Sequence, residues 1–337
     1  MAASLENPIY TVYLVDGKTK YNLTPAVLEI QSTNQDKQVA QSVQITIANI
    51  KATSDKTIGG LIKVRHRIFV YANDGKQSGE VFRGFVWTRY PEASLDSNTV
   101  TIKCYDNLIY MQESEDSFYF SKGKKTSSVM KSICSRWGIN LNYTYSSITH
   151  GKLVLRGNLT NIFMSDVLDL VKKRTGTKYV ILSQKDTMYI MPVGSNTTVY
   201  QISKKNNAVT TRAEETMDGM TTKVKILGQA KKNSQKQPVV ATVKGNTSKY
   251  GTLQKLQDKD KDTSLAAAKK EANYEIKQNG KPHKEYQVEA VDIPWIKKGD
   301  KVLVNAGSIS NKTLIAVGIE RNITNQKKTM TLTLRDK

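Results

Sequence analysis

The chain enters its last stretch through Ile296-Lys297-Lys298-Gly299-Asp300-Lys301-Val302-Leu303-Val304 and closes it with Thr329-Met330-Thr331-Leu332-Thr333-Leu334. The closing run alternates threonine with an apolar residue, the period of a strand with one buried and one wet face. Between them a turn and a strand ending in Arg321 complete a three-stranded meander. The same layout stands earlier in the chain. Ile62, Val64, His66, Ile68 and Val70 take one face of an expected strand, and Lys63, Arg65 and Arg67 take the other. Asn73-Asp74-Gly75 is a turn signal, and Glu80–Trp87 returns as a strand that ends at Arg89. Thr99-Val100-Thr101-Ile102-Lys103-Cys104 then closes the meander, threonine outward and aliphatic inward. Any two amphipathic meanders share some of this pattern. The shared order of parts reads as a duplicated β-barrel, one copy near each end of the chain.

Working outward, three domains are expected. Residues 1–110 read as strands throughout, with Val43, Ile45 and Ile47 on one face. Residues 111–200 read as a small α+β insert. Thr126 is expected to cap a helix carrying Val129, Ile133 and Trp137 and ending at Gly138. Ser165 is expected to cap a second, with Val167, Leu168 and Val171 inward and Gly176 at its end. Tyr179–Leu182 and Met188–Met191 form a hairpin around Lys185-Asp186. Residues 201–337 return to strands. Val224 and Ile226 alternate with Lys223 and Lys225, and Val239, Ala241 and Val243 follow on the returning strand. The polar stretch Gly228–Pro238, with Lys231, Lys232 and Lys236, is the exposed loop between them. Leu265, Ala268, Ala272 and Ile276 make the narrow apolar stripe of one helix, capped by Asp262 or Thr263 and stopped by Gly280 with Pro282.

The chain has 337 residues and holds 51 Lys+Arg against 30 Asp+Glu, a formal net charge of +21. Residues 1–110 are nearly balanced, twelve basic against ten acidic; residues 201–337 carry twenty-seven against fourteen, mostly lysine. No apolar run approaches the ~18 residues of a membrane helix. The start, Met1-Ala2-Ala3-Ser4-Leu5-Glu6, lacks the basic and apolar parts of a secretory signal. Cys104 and Cys134 make no disulfide framework or metal-ligand pair. His66, His150 and His283 lack metal-binding spacing, and there is no nucleophile elbow, phosphate loop or dinucleotide fingerprint. Glu113, Glu115 and Asp116 read as a solvated linker, and Asp258–Asp262 lacks the glycine and glutamate of a calcium loop. No catalytic, cofactor or metal site is expected. Lys63, Arg65 and Arg67 with Phe69 suggest a basic face able to stack bases, yet no RRM, KH or helix-turn-helix pattern accompanies it.

The order of parts is a β domain, an α+β insert, then a β domain with a lysine-rich loop. With Lys249-Tyr250-Gly251-Thr252-Leu253-Gln254 before the helix and Gly299-Asp300-Lys301-Val302 after it, the chain resembles the XkdQ/YqbQ hub family of PBSX-like defective prophages and contractile bacteriocins. It is similar, more distantly, to the baseplate hubs of contractile-tailed phages. Thr252 between Gly251 and Leu253 departs slightly from the family pattern. The resemblance implies two tail-tube-like β-barrels flanking the insert and a homotrimer that presents six barrel units to a six-fold tube and a three-fold spike. It also implies tube, spike and other baseplate proteins as partners, assembly in the bacterial cytoplasm, contact with DNA only by passage through the lumen, and no catalytic residue. Lys63, Arg65, Arg67, Lys223, Lys225, Lys231, Lys232 and Lys236 are then candidates for an interface or lumen surface; Tyr250, Gly251, Gly299, Asp300 and Val302 carry the structural motifs. Two alternatives stand beside this reading: a basic nucleic-acid-binding protein, and a cell-wall-binding tail component.

Overall fold

Alternation in the sequence becomes alternation in burial. In the computed structural model, which describes residues 7–36, 38–94, 98–143, 147–205, 207–230, 236–259, 261 and 263–336, seven strands precede the insert. They are β1 (Ile9–Asp16), β2 (Thr19–Asn22), β3 (Val27–Asn34), β4 (Ser42–Ala48), β5 (Arg67–Asn73), β6 (Ser78–Ala93) and β7 (Asn98–Tyr105). Val43, Ile45 and Ile47 of β4 pair with Cys104, Ile102 and Val100 of β7, and all six are buried. The insert holds β8 (Glu115–Phe120), β9 (Asn140–Tyr143), β10 (Leu153–Asn158), β11 (Tyr179–Gln184) and β12 (Thr187–Pro192). The last part holds β13 (Gln201–Ser203), β14 (Ala208–Thr216), β15 (Lys223–Leu227), β16 (Val239–Lys244) and β17 (Gln254–Asp258). It ends with β18 (His283–Val291), β19 (Lys301–Ala306), β20 (Ile309–Thr324) and β21 (Lys328–Arg335). The protein is thus mainly β with a small α+β insert.

The two β units share one strand order. The first runs β3-β4-β7-β6-β5-β1, and the second runs β14-β18-β21-β20-β19-β13. Each middle strand, β6 and β20, is 16 residues long. Each serves one neighbour with its first half (β5 or β19) and another with its second (β7 or β21). Each also bulges at the changeover, between Val86 and Thr88 and between Ala316 and Gly318. The units join through β20 and β3, Ile319 facing Asn34 and Ile323 facing Ile30, so one sheet runs through both. Between β14 and β18 the chain makes an excursion. β16-β15-β17 form a small sheet, and the helix Leu265–Asn279 covers one face of it through Ala268 and Ala272 against Val224 and Ile226.

Four local readings need correction. The strand expected from Ile62 begins only at Arg67. Residues Ile58–Leu61 form a helical turn instead, and Arg65 takes a left-handed φ of 73°. That conformation lays its guanidinium over the rings of Phe85 and Tyr110, 5.3 and 5.6 Å from their centroids. Val64 is therefore exposed, and Lys63, Arg65 and Arg67 share no strand face. Thr126 does not cap its helix. Its hydroxyl is buried, 2.8 Å from His150 Nε2 and accepting from the Ile148 N–H. The second insert helix starts before Ser165, at Leu159, where the Asn158 side chain accepts the Thr160 N–H. A wide-turn segment, Ile162–Leu168, follows and lets Ile162, Phe163, Val167 and Leu168 all reach the core. The helix Leu265–Asn279 is capped by Ser264, which accepts the Ala267 N–H at 3.1 Å, rather than by Thr263; Asp262 lies outside the described residues. The hairpin at Lys185-Asp186 forms as read, both residues left-handed as a two-residue turn requires.

Polar staples hold the parts together. Asp186 at the insert hairpin tip accepts from Arg67 at 2.6 Å and Arg83 at 3.1 Å on β5 and β6. Asp292, between β18 and β19, is fully buried, pairs with Arg321 at 2.9 Å, and accepts the hydroxyl of Tyr10 from β1. Arg321 also donates to the carbonyls of Ile293 and Ile296. Lys298 is buried and donates to the carbonyls of Gln35 (3.1 Å) and Gln38 between β3 and β4.

Candidate assembly surfaces

Alternation on the joined sheet leaves one continuous polar face across β14-β18-β21-β20-β3-β4-β7-β6. Threonine and glutamine dominate it: Thr46 faces Thr101, Gln31 faces Gln44, and Glu320 lies between Thr33 and Thr331. Its charge is the reverse of the chain's. The face carries Glu29, Glu92, Glu214, Glu285, Glu289 and Glu320. Against these stand Lys103, Arg212 and Arg335; Arg335 is held by Asp36 and Glu285, each at 2.7 Å, and Lys327, at the β20–β21 turn, holds Glu289 at 3.2 Å.

Two edges of this sheet have no neighbouring strand among the described residues. One is β14, which pairs only with β18; the other is the second half of β6, which pairs only with β7. Both are exposed. An open edge presents unpaired N–H and C=O groups and is a template for a further strand.

The positive charge collects elsewhere. On the small excursion sheet, Lys223 of β15 stands directly opposite Lys244 of β16, with Lys225 two residues on and the exposed Leu256 of β17 beside it. Like charges facing across a ladder are unfavourable, and among the described residues no carboxylate makes an ion pair with any of the three. Of the lysines expected with them, Lys236 is exposed in the same excursion, and Lys231 and Lys232 lie outside the described residues. Lys63 and Arg65 sit in the loop before β5, and Arg67 is committed to Asp186. The sequence reading therefore placed Lys223 and Lys225 together but missed Lys244, whose position follows only from the β15–β16 register.

The motif residues are structural. Tyr250 closes a short helix capped by Asn246, and Gly251, at φ 75°, turns the chain into β17 while its carbonyl accepts the Thr222 hydroxyl at 2.7 Å. Gly299 has φ 90°, Asp300 accepts the Lys297 N–H at 2.8 Å, and Val302 is fully buried. Groups with shifted acidity are packing groups as well. Burial pushes the Asp106 carboxyl up to about 7, although the Gln41 and Leu108 N–H groups bind it and Lys298 is near. Burial lowers Lys298 to about 8, and burial beside Arg174 lowers His150 to about 4. Among the described residues no group of His, Cys, Asp and Glu is arranged to hold a metal ion, and no helix is long and apolar enough to cross a membrane.

A family model described as YQBQ-like matches residues 30–335. The chain is 24% identical over 274 residues to the phage-like element PBSX protein XkdQ of Bacillus subtilis (strain 168), a match spanning 77% of this chain and 78% of that one. Its fold is similar to that of the tail protein from Neisseria meningitidis MC58, with a TM-score of 0.69 at 13% identity over 97% of this chain and 96% of that one. It is also similar to the E. coli c3393 protein, with a TM-score of 0.58 at 8% identity over 93% and 74%. That protein is described as a component of the type VI secretion system with structural similarity to T4 bacteriophage tail proteins gp27 and gp5.

Proposed function

The chain belongs to the YQBQ-like family, and from that premise we propose that it is a non-enzymatic structural component of a phage-type tail. Its role is that of the baseplate hub that joins a six-fold tail tube to a three-fold central spike. The observation that carries this reading is the duplication: two β units of one strand order, fused edge to edge through β20 and β3. A single chain then offers two near-equivalent units, so three chains offer six. A ring of three meets a six-fold partner with every unit and a three-fold partner with every chain. Closed rings of this kind are built from heterologous interfaces. The fold shared with tail proteins supports the setting, in a phage tail, a phage-like particle or a bacteriocin assembled in the bacterial cytoplasm. Tube, spike and other baseplate proteins are the partners.

Imaging purified particles that contain this chain tests the proposal. Three copies in one ring at the junction of tube and spike are expected. A ring of six copies, or a location away from that junction, overturns it.

A further inference from the structure

The internal repeat predicts more than a ring: it specifies the seam between copies. Resting on the ring proposed above, we propose that β14 of one copy adds antiparallel to the second half of β6 in the next copy, with Arg89 opposite Glu215 and Glu92 opposite Arg212.

The register follows from superposing the two units by their ladders. In the first unit Arg89 faces Ile102 and Tyr90 faces Thr101; in the second Ile319 faces Leu332 and Glu320 faces Thr331. The bulges before them coincide, so Arg89 occupies the place of Ile319 and Glu92 the place of Asn322. On the other edge, Ile30 of β3 faces Ile45, and Thr211 of β14 faces Val288. Ile45 and Val288 are equivalent through their partners Ile102 and Leu332. Arg212 therefore occupies the place of Gln31, and Glu215 the place of Asn34.

Within the chain the seam is already made once. β20 meets β3 with Ile319 opposite Asn34 and Asn322 opposite Gln31. Carrying that register to the two open edges places Arg89 against Glu215, Tyr90 against Glu214 and Glu92 against Arg212. Two pairs of opposite charge fall across the ladder, where such pairs are favourable. Glu92–Arg212 carries the seam, because Arg89 already donates to the Gly59 carbonyl at 2.9 Å and Glu215 lies 3.8 Å from Lys284. A slip of one residue sets the side chains of the polar face of one strand against those of the opposite face of the other. A slip of two brings Glu92 opposite either Thr210 or Glu214, and both charge pairs are lost. Glu92, Arg212 and Glu214 are exposed and make no ion pair among the described residues. Pro91 has no N–H to give, so this seam carries one donor fewer than β20–β3.

Paired cysteines test it. In purified particles, Glu92→Cys with Arg212→Cys in one chain is expected to give, on oxidation, covalent ladders up to the closed ring on a non-reducing gel. Glu92→Cys with Glu214→Cys, and each single variant, are expected to give none, since Cys104 and Cys134 are buried. A ring seen in particles without this cross-link, or with the slipped pair linking instead, overturns the seam while leaving the hub reading intact; particles without a ring overturn the hub reading. As a second measurement, Glu92→Arg is expected to lower ring yield at least tenfold, and adding Arg212→Glu to restore it. Equal yields for the single and double reversals count against the register.

Discussion

Gly299→Ala probes the junction of the insert with the second β unit, and its cost follows from two separate terms. Gly299 lies at φ 90°, where an L-residue is strained; occupying the left-handed side costs about 1–2 kcal/mol. A Cβ there falls 2.6 Å from Val180 Cγ1 and 3.0 Å from Val180 Cβ, on β11 of the insert. Both flanks are fixed. The Gly299 N–H donates to the Ala316 carbonyl and the Gly299 carbonyl accepts the Gly194 N–H, each at 2.7 Å. Relief must come from moving β11, and overpacking of this kind costs about 1–3 kcal/mol. The expected loss is the sum, about 2–5 kcal/mol, read as a lower urea midpoint at unchanged slope. Val180→Ala separates most of the steric term from the backbone one, because it removes the contacts at 2.6 and 3.2 Å to the two methyl groups and leaves the one at 3.0 Å to Cβ. In a double-mutant cycle the two substitutions should couple favourably by most of that steric cost, about 1–2 kcal/mol. A Gly299→Ala protein as stable as the parent refutes the backbone argument. A cycle with no coupling refutes the packing argument.

Other outcomes follow from the same geometry. Asp292→Ala leaves Arg321 as an unpaired buried charge, and about 3–5 kcal/mol should be lost in urea unfolding; a loss under 1 kcal/mol would mean that Arg321 finds another anion. The Asp106 carboxyl, raised to about 7 by burial, holds its proton more tightly folded than unfolded. Its contribution is therefore full below about pH 4 and lost as pH rises to about 7. Asp106→Asn should flatten that part of the stability profile, and an unchanged slope would argue against it. His150, lowered to about 4 by burial and Arg174, acts with the opposite sign: its contribution is present above about pH 6.5 and lost as pH falls toward 4. His150→Gln should remove that acid-side loss, measured by urea midpoints across the same range. Lys223→Gln with Lys225→Gln and Lys244→Gln should lower the salt needed to elute the chain from heparin, whereas Lys103→Gln should not; equal shifts would place polyanion contact on the sheet.

The parts legible in the sequence are those whose determinants are local. Val43, Ile45 and Ile47 announce β4 because each buries a face on its own, and Lys185-Asp186 announces a hairpin because two flanking apolar runs converge on it. Alternation fails where a backbone turn interrupts it unseen. The pattern through Ile62, Val64 and His66 continues in letters while Arg65 goes left-handed to reach Phe85 and Tyr110. The start of the second insert helix is hidden by Ser165, which offers a familiar cap, although Leu159, Ile162 and Phe163 stand at the i, i+3, i+4 spacing of an ordinary helix capped by Asn158. What no spacing announces is the wide-turn segment Ile162–Leu168. β14 left almost no signal at all. Its sequence, Ala208 to Thr216, offers only Ala208, Val209 and Ala213 as apolar residues and no buried position, so no apolar period announces it. The lysine face needed a register that no spacing within one strand contains, since Lys244 meets Lys223 only through a hairpin.

Charge ties these observations to the proposed role. The chain carries +21, yet the eight-stranded polar face bears six glutamates against Lys103, Arg212 and Arg335, with Lys327 on Glu289 at its rim. In the proposed ring this polar face lines the bore, with the cores of both β units behind it. In the proposed seam Glu92 neutralises Arg212, and Arg335 is already committed to Asp36 and Glu285. Lys103 is then the bore's one cation without a carboxylate partner among the described residues. Such a wall, threonine-rich and net acidic, repels a polyanion rather than holding it, as a conduit requires. The basic lumen allowed by the composition is thereby disfavoured within the ring. The lysines of β15 and β16, Lys244 exposed and Lys223 and Lys225 half-buried, lie on a separate small sheet, where attraction to an acidic neighbour does not obstruct passage. The overall charge and the charge of this polar face have opposite signs because the fold sorts acidic and basic residues onto different sheets.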